Sequence, residues 1–403
     1  MKRFIGILIM AAVLAASFSP ASAGAGSGSD IGVSKHPSAT NFGRSGMYAL
    51  PKYDPKDPAT PVDLRSWDLT DADLTGRARD LSFANFDSRT KWPAQLPTGF
   101  DPDKTMETSR NPGLGVRSLH SAGITGKGIG IAIIDQALLV DHVEYKDRLK
   151  HYEEIHWPGN VAQMHGSAVA SIAVGSTVGV APEADLYYIA EQHGTYSHGT
   201  FDWDFTYLAQ SIDRVIEINQ ELPADRKIRV ISISVGWAPS QKGYAQVMAA
   251  VERAKRAGMF VVSSSLDQTF GLQFQGLGRD PKANPDAYRS YRPGLFWASA
   301  YFQPGAQHGP AGTYLLVPMD SRTTASPTGP NDYVFYRVGG WSWSIPYIAG
   351  LYALACQVDP DITSEKFWSV ALKTGDTVTV RKGLSFHRLG KIVNPVKLIE
   401  AIR

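Results

Sequence analysis

The sequence predicts an α/β domain built on a parallel sheet with helices on both faces, preceded by a small N-terminal segment. Three observations carry that prediction. From Gly115 onward, short apolar runs alternate with stretches of helical spacing, as expected when each strand is followed by a crossover helix. Ile129–Ile134 is apolar without alternation, which fits a strand covered on both sides. Tyr207–Asn219 and Tyr244–Ala257 have helical spacing, and Gly258 stands where the second of these would stop.

Taken in order, the chain opens with Lys2 and Arg3, an apolar run from Phe4 to Ala16, and the small residues Ala21-Ser22-Ala23. This three-part pattern reads as a signal peptide over residues 1–23, removed on export, so the mature protein is expected to be secreted. The apolar run is shorter than the roughly 20 residues that span a bilayer, so no membrane association is expected after cleavage. Residues 24–60, rich in Gly, Ser, Pro and Lys, read as an extended arm. Residues 61–110 form an N-terminal segment in which Leu64, Leu69, Leu74, Leu81 and Phe86 recur at steps of about five. That spacing fits a few pentapeptide-like coils or a run of turns, and it leaves both readings open.

Residues 111–403 make up the α/β domain. After the Ile129–Ile134 strand, Ala168–Val174 reads as a tightly packed helix, and Leu186–Ala190, Arg229–Val235 and Met259–Ser263 read as further strands. Ile345–Cys356 reads as a buried helix, and Thr363–Thr374 as an amphipathic helix opened by Thr363 and Ser364.

Composition removes several classes of function. Lys+Arg 40 against Asp+Glu 38 leaves a net charge of +2, and no basic stripe is present, so nucleic acid is not an expected partner. Cys356 is the single cysteine, which excludes an intrachain disulfide. It lies in the apolar run Leu351–Cys356 and reads as a buried small hydrophobe. His193 and His198 lack the companions and spacing of a metal site, and no metal or cofactor is assigned.

Three local sequences carry chemistry. Ile131–Asp135 ends an apolar strand with a carboxylate, with Asp141-His142 shortly after. Met164–Ser171 sets His165 where a helix begins, and Gly340–Gly350 sets Ser342 just ahead of an apolar helix interrupted early by Pro346. Taken singly, these are an ordinary turn Asp, a lone His and a helix-capping Ser. Together, a carboxylate at a strand end and a His and Ser at helix N-termini can converge on one edge of an α/β sheet, where ligand sites lie.

In these stretches the chain resembles the subtilisin-like serine peptidases. His165-Gly-Ser-Ala-Val-Ala-Ser171 is similar to that family's histidine motif, and Gly340-Trp-Ser342-Trp-Ser-Ile-Pro346-Tyr-Ile-Ala-Gly350 to its serine motif. Val178-Gly-Val-Ala-Pro182 and Ser232-Ile-Ser234-Val-Gly236 match the segments that follow, and the order Asp, His, Ser is the family's own. The resemblance spans about residues 111–400. It implies a subtilisin-like parallel-sheet fold and a secreted serine endopeptidase, acting as a monomer on polypeptide substrates. Ser342 would be the nucleophile, His165 the general base and then acid, and Asp135 the group that orients His165. Ser234, Val235 and Gly236 would form the substrate-binding strand, with Ser264 and Ser265 on one wall of the specificity pocket.

The pattern departs from the family at several points. Asp267 stands at the oxyanion-hole position, where the family has Asn. A protonated Asp267 could donate there, Gln268 or a backbone N–H could substitute, or the chain could be a pseudopeptidase that binds peptides without cutting them. Ala168 replaces a second His, Ser264-Ser265-Leu266 replaces Ala-Ala-Gly, and Trp341 and Trp343 flank Ser342 where smaller residues are usual.

Overall fold

The computed structural model describes residues 31–197, 199–303 and 314–403. The predicted signal peptide and His198 lie outside them. Residues 31–60 run over the surface with almost no regular structure and bind the α/β domain edge by main-chain bonds. Ser34 N–H donates to Tyr152 O (3.0 Å), and Tyr152 N–H to Gly32 O (3.0 Å). Next come β1 (Val62–Asp63), α1 (Ala78–Leu81), β2 (Ala84–Asp87), α2 (Pro102–Thr108) and α3 (Val116–Ser121). Leu64, Leu69, Leu74, Leu81 and Phe86 are all buried in one cluster that also takes in Phe335 of the α/β domain. β1 and β2 pair in parallel, and β2 pairs antiparallel with the strand that contains Phe335.

The main sheet begins with β3 (Gly130–Asp135), β4 (Leu149–His156), α4 (Met164–Val174) and β5 (Asp185–Glu191). A hairpin of β6 (Gly194–Ser197) and β7 (Thr200–Trp203) leads into α5 (Thr206–Glu221), β8 (Ile228–Ile233), α6 (Tyr244–Arg256) and β9 (Phe260–Ser263). The order across the sheet is β4-β5-β3-β8-β9, and every pair is parallel. All six β3 residues are buried, and alternate ones face opposite cores. Ile131 and Ile133 pack with α4, while Ala132 and Ile134 pack with α5 and α6. This two-sided burial is the physical reason the strand lacks a polar alternation.

The chain then runs through α7 (Leu266–Phe270), β10 (Gln273–Arg279), β11 (Tyr291–Pro293), α8 (Leu295–Tyr301), β12 (Tyr314–Pro318), β13 (Arg322–Ala325) and β14 (Tyr333–Tyr336). It closes with α9 (Trp341–Val358), α10 (Ser364–Thr374), β15 (Asp376–Lys382), β16 (Ser385–Ile392) and α11 (Pro395–Ile402). A second, mixed sheet has the order β11-β10-β12-β16-β15, and a third joins β1-β2-β14-β13. α9 crosses the α4 face of the main sheet, and nearly all of it is buried. It lies against α4 closely enough that a Cβ at Gly350 would stand 3.2 Å from Ala173 O. Among the described residues, no helix is long and apolar enough to cross a membrane.

Candidate active site

Asp135 is the last residue of β3, at the C-terminal edge of the sheet, and its carboxylate is buried. Its Oδ1 accepts the Gln136 N–H (2.8 Å) and lies 2.7 Å from His165 Nδ1. A carboxylate accepts, so in the neutral imidazole Nδ1 would carry the hydrogen and Nε2 would keep its lone pair. His165 is the second residue of α4, and Gly166 explains how the helix comes so near the strand. A Cβ on residue 166 would sit 2.2 Å from Gln136 O and 2.4 Å from the Tyr188 hydroxyl. Tyr188 itself donates to Gln136 O, so the wall facing Gly166 is fixed.

Ser342 is the second residue of α9, which starts at Trp341 rather than at the Ile345 that the sequence suggested. Gly340 precedes the helix at φ +64° and ψ 179°, a conformation that a side chain would strain. Pro346 sits within the helix and has no N–H to give to the carbonyl four residues earlier, that of Ser342. That carbonyl accepts instead from the Ser234 hydroxyl (3.1 Å), and Ser342 Oγ in turn lies 3.4 Å from Ser234 O. A proline that would ordinarily break a helix thus frees one acceptor, and Ser234 occupies it. No hydrogen bond joins Ser342 Oγ to His165 in this structure; such bonds commonly tighten only once substrate is bound.

The two tryptophans do not crowd Ser342 from one side. Trp341 donates from Nε1 to Gln275 Oε1 (3.0 Å) and packs on Phe274 and Phe296. Trp343 turns the other way, edge-on to His165 with ring centroids 5.5 Å apart, and also meets Tyr336. Trp343 therefore couples the imidazole to the turn that carries Ser342.

The residues expected to bind substrate lie together. Ser234, Val235 and Gly236 continue β8 as a half-exposed strip. Ser264 N–H donates to Val235 O (3.1 Å), and Ser265 Oγ accepts the Trp237 N–H (2.9 Å). Gly236 is needed there, since a Cβ would come 3.0 Å from Ser264 Cβ. Asp267 lies beyond the end of β9, in the first turn of the short helix α7, with its side chain exposed. Its Oδ2 accepts from Gln273 Nε2 at 3.2 Å.

Other candidates stand apart. Asp141 pairs on the surface with His36 (3.3 Å), and buried His142 donates to Asp332 O (2.7 Å). Cys356 is buried, and burial pushes its thiol up to about 12. Ala168 is fully buried beneath the Ser171 hydroxyl, which donates to its carbonyl (2.9 Å). One pair was missed from sequence: His193 forms a tight ion pair with the buried carboxylate of Glu191 at the end of β5. Burial opposes the charged imidazole, but Glu191 and the nearby Asp135 outweigh it and raise the His193 pKa. The only sequence signal was a Glu-x-His at a strand end, which is too common to single out.

Residues 126–299 match the profile of the Subtilase family. Over this stretch the chain is similar to the subtilases. The matched stretch contains Asp135, His165, the Ser234–Gly236 strip and Asp267, and it ends before Ser342. Among curated proteins, the chain is 27% identical over 164 residues to Subtilisin-like protease 2 of Arthroderma otae, covering 40% of the chain and 34% of the relative. It is 35% identical over 85 residues to Subtilisin-like protease PopC of Myxococcus xanthus (strain DK1622), covering 18% of each protein. The chain thus spans about a third or less of the length of these relatives. A solved structure, that of the prenylagaramide maturation protease PagA, aligns with a TM-score of 0.49 and 14% identity, over 72% of this chain and 98% of that one.

Proposed function

We propose that the chain is a secreted serine endopeptidase that cleaves peptide bonds through an acyl-enzyme on Ser342. The observation that carries this reading is the 2.7 Å contact between His165 Nδ1 and Asp135 Oδ1, with the imidazole set against Trp343, the residue next to Ser342. Asp135 fixes the tautomer, so Nε2 takes the Ser342 proton as Oγ attacks the carbonyl carbon. The imidazolium, stabilised by Asp135, then protonates the leaving amine. In the second half-reaction Nε2 activates water, the acyl bond breaks, and Ser342 regains its proton.

Charge develops on the substrate carbonyl oxygen and needs donors. The first N–H groups of a helix have no partner within it, and Ser342 N–H lies in the first turn of α9. Asp267 stands exposed, and its Oδ2 is engaged in accepting from Gln273. That observation favours Ser342 N–H over Asp267 as the principal oxyanion donor. It also supports the second reading, a weak or silent peptidase that binds chains on the Ser234–Gly236 strip. Such a half-exposed strand end suits an extended peptide, which would pair with it through main-chain bonds.

The test is labelling of the purified protein with a fluorophosphonate, compared with Ser342→Ala. Labelling that depends on Ser342 between about pH 5 and 8, where an ordinary imidazole changes charge, supports the peptidase. Its absence, with peptide binding retained, supports the silent reading.

A further inference from the structure

The link between β12 and β13 passes directly beneath the turn that presents Ser342. Met319 and Asp320 lie in a slot lined by glycines at positions where any side chain would collide. A Cβ at Gly276 would stand 2.1 Å from Met319 Sδ, at Gly294 2.2 Å from Met319 Cε, and at Gly339 2.5 Å from Met319 O. At Gly278 it would be 3.0 Å from Asp320 Oδ2. Within this slot the Asp320 carboxyl is 2% exposed. Oδ2 accepts the Leu295 N–H at 2.8 Å, and Oδ1 accepts the Gly339 N–H at 3.2 Å. One buried carboxyl thus joins the start of α8 to the first residue of the Gly339-Gly340 turn, and Ser342 follows three residues after Gly339.

We propose that Asp320 is a positioning residue for Ser342, and that its ionised carboxylate is required to hold the Gly339-Gly340 turn in the conformation that presents the nucleophile. The proposal rests on the reading of Ser342 as nucleophile. Two N–H groups meet two separate oxygens, and the ionised form is the stronger acceptor for both, whereas protonation makes one oxygen a weak acceptor. On protonation, one oxygen gains a hydrogen that would face an N–H, and the longer bond, to Gly339, is the weaker one. Gly340 at φ +64° then loses the anchor just ahead of it.

The charges around Asp320 do not replace this role. Arg337, after β14, acts on it from a distance, but its Nη1 bonds Ser321 Oγ and its Nε bonds Ser82 O. Arg279, from β10, turns to the Asp280, Pro281, Ala283 and Ser321 carbonyls, and Arg322, from β13, to Val178 O. α8 and the start of α9 bring N–H groups and the Trp297 and Trp343 rings. Burial therefore dominates and pushes the Asp320 carboxyl up to about 6, against the pull of the Leu295 N–H, Arg337 and the Gly339 N–H. That places the switch within the working range of an imidazole base.

The experiment measures the rate of Ser342 labelling by a fluorophosphonate as a function of pH, in the wild-type protein and in Asp320→Asn. The wild-type rate should fall on the acid side more steeply than the first power of proton concentration over the range in which Asp320 takes up its proton in addition to the imidazole. Asp320→Asn keeps one acceptor oxygen but presents an NH2 to the other N–H. It should label at least about tenfold more slowly at neutral pH, the scale of loss when a nucleophile is misplaced, and show a first-power acid limb. A first-power limb in the wild type, or an Asp320→Asn profile that superimposes on it, overturns the proposal. If Asp320→Asn fails to fold, the wild-type limb alone decides. A wild type with no Ser342-dependent labelling at any pH instead defeats the nucleophile reading, and the two failures are told apart by that signal.

Discussion

The closest approach in the site predicts its most sensitive point, which is a glycine. In Gly166→Ala the new methyl would stand 2.2 Å from Gln136 O and 2.4 Å from the Tyr188 hydroxyl. Neither can yield easily, because Gln136 follows the central strand and Tyr188 is fully buried in the neighbouring one. The start of α4 must therefore retreat by roughly 1 Å to restore ordinary contact. His165 rides on that turn, so the 2.7 Å contact to Asp135 opens to about 3.5 Å or more, where a hydrogen bond is lost. A misplacement of about 1 Å at a reacting group costs on the order of 10²-fold, or about 2.7 kcal/mol of barrier. Overpacking should also remove ~1–3 kcal/mol of stability. The assay is kcat/KM on a fluorogenic peptide, normalised to folded protein by thermal melting and circular dichroism. A variant that melts cooperatively and keeps kcat/KM within about threefold of wild type would refute the claim that Gly166 sets the His165–Asp135 contact.

Two further outcomes follow from particular side chains. Asp267→Asn can still accept from Gln273 through its carbonyl while its NH2 takes the place of the other oxygen, so the change adds a donor without breaking the 3.2 Å contact. If position 267 faces the oxyanion, kcat should rise by up to about 10²-fold, most clearly at alkaline pH, and an unchanged kcat would assign the oxyanion to Ser342 N–H and other donors. In the N-terminal segment, burial opposes the charge on Asp63, but hydrogen bonds from Arg65 and Arg44 outweigh it and hold the carboxyl down at about 2. A depressed carboxylate stabilises the fold above its unfolded pKa, and that stability disappears as pH falls through the folded value. Asp63→Asn should therefore cost ~1–2 kcal/mol in urea denaturation at pH 7, allowing for partial exposure, and almost nothing near pH 2.

Much of the α/β domain was legible because its signals are local. β3 declared itself by an unbroken apolar run, since both of its faces are covered. Thr363 caps α10 by accepting the Lys366 N–H, and Gly258 follows α6 at φ +78°, both as their residue types suggest. The second and third sheets were not legible. Several of their strands are only two to five residues long, and although β13–β14 and β15–β16 are neighbours in sequence, other registers are set between distant parts of the chain, as when β2 pairs with β14. No window of sequence contains that information, because it resides in which apolar faces remain uncovered once the main sheet has formed.

The start of α9 shows the same limit at the site itself. The apolar run suggested a helix over Ile345–Cys356, interrupted early by Pro346, with Ser342 just ahead of it. The true start, at Trp341, depends on a bond from another strand, the Ser234 hydroxyl to the carbonyl that Pro346 cannot serve. This shift changes the chemistry available to Ser342. In a loop its N–H would have no fixed direction, whereas in the first turn of an 18-residue helix it is held among unpaired donors. The substitution at Asp267 weighs less against activity for that reason. The Ser234 hydroxyl bonds the Ser342 carbonyl, so any pairing of a peptide with the Ser234–Gly236 strip, the binding strand expected from the motif, would run through its backbone.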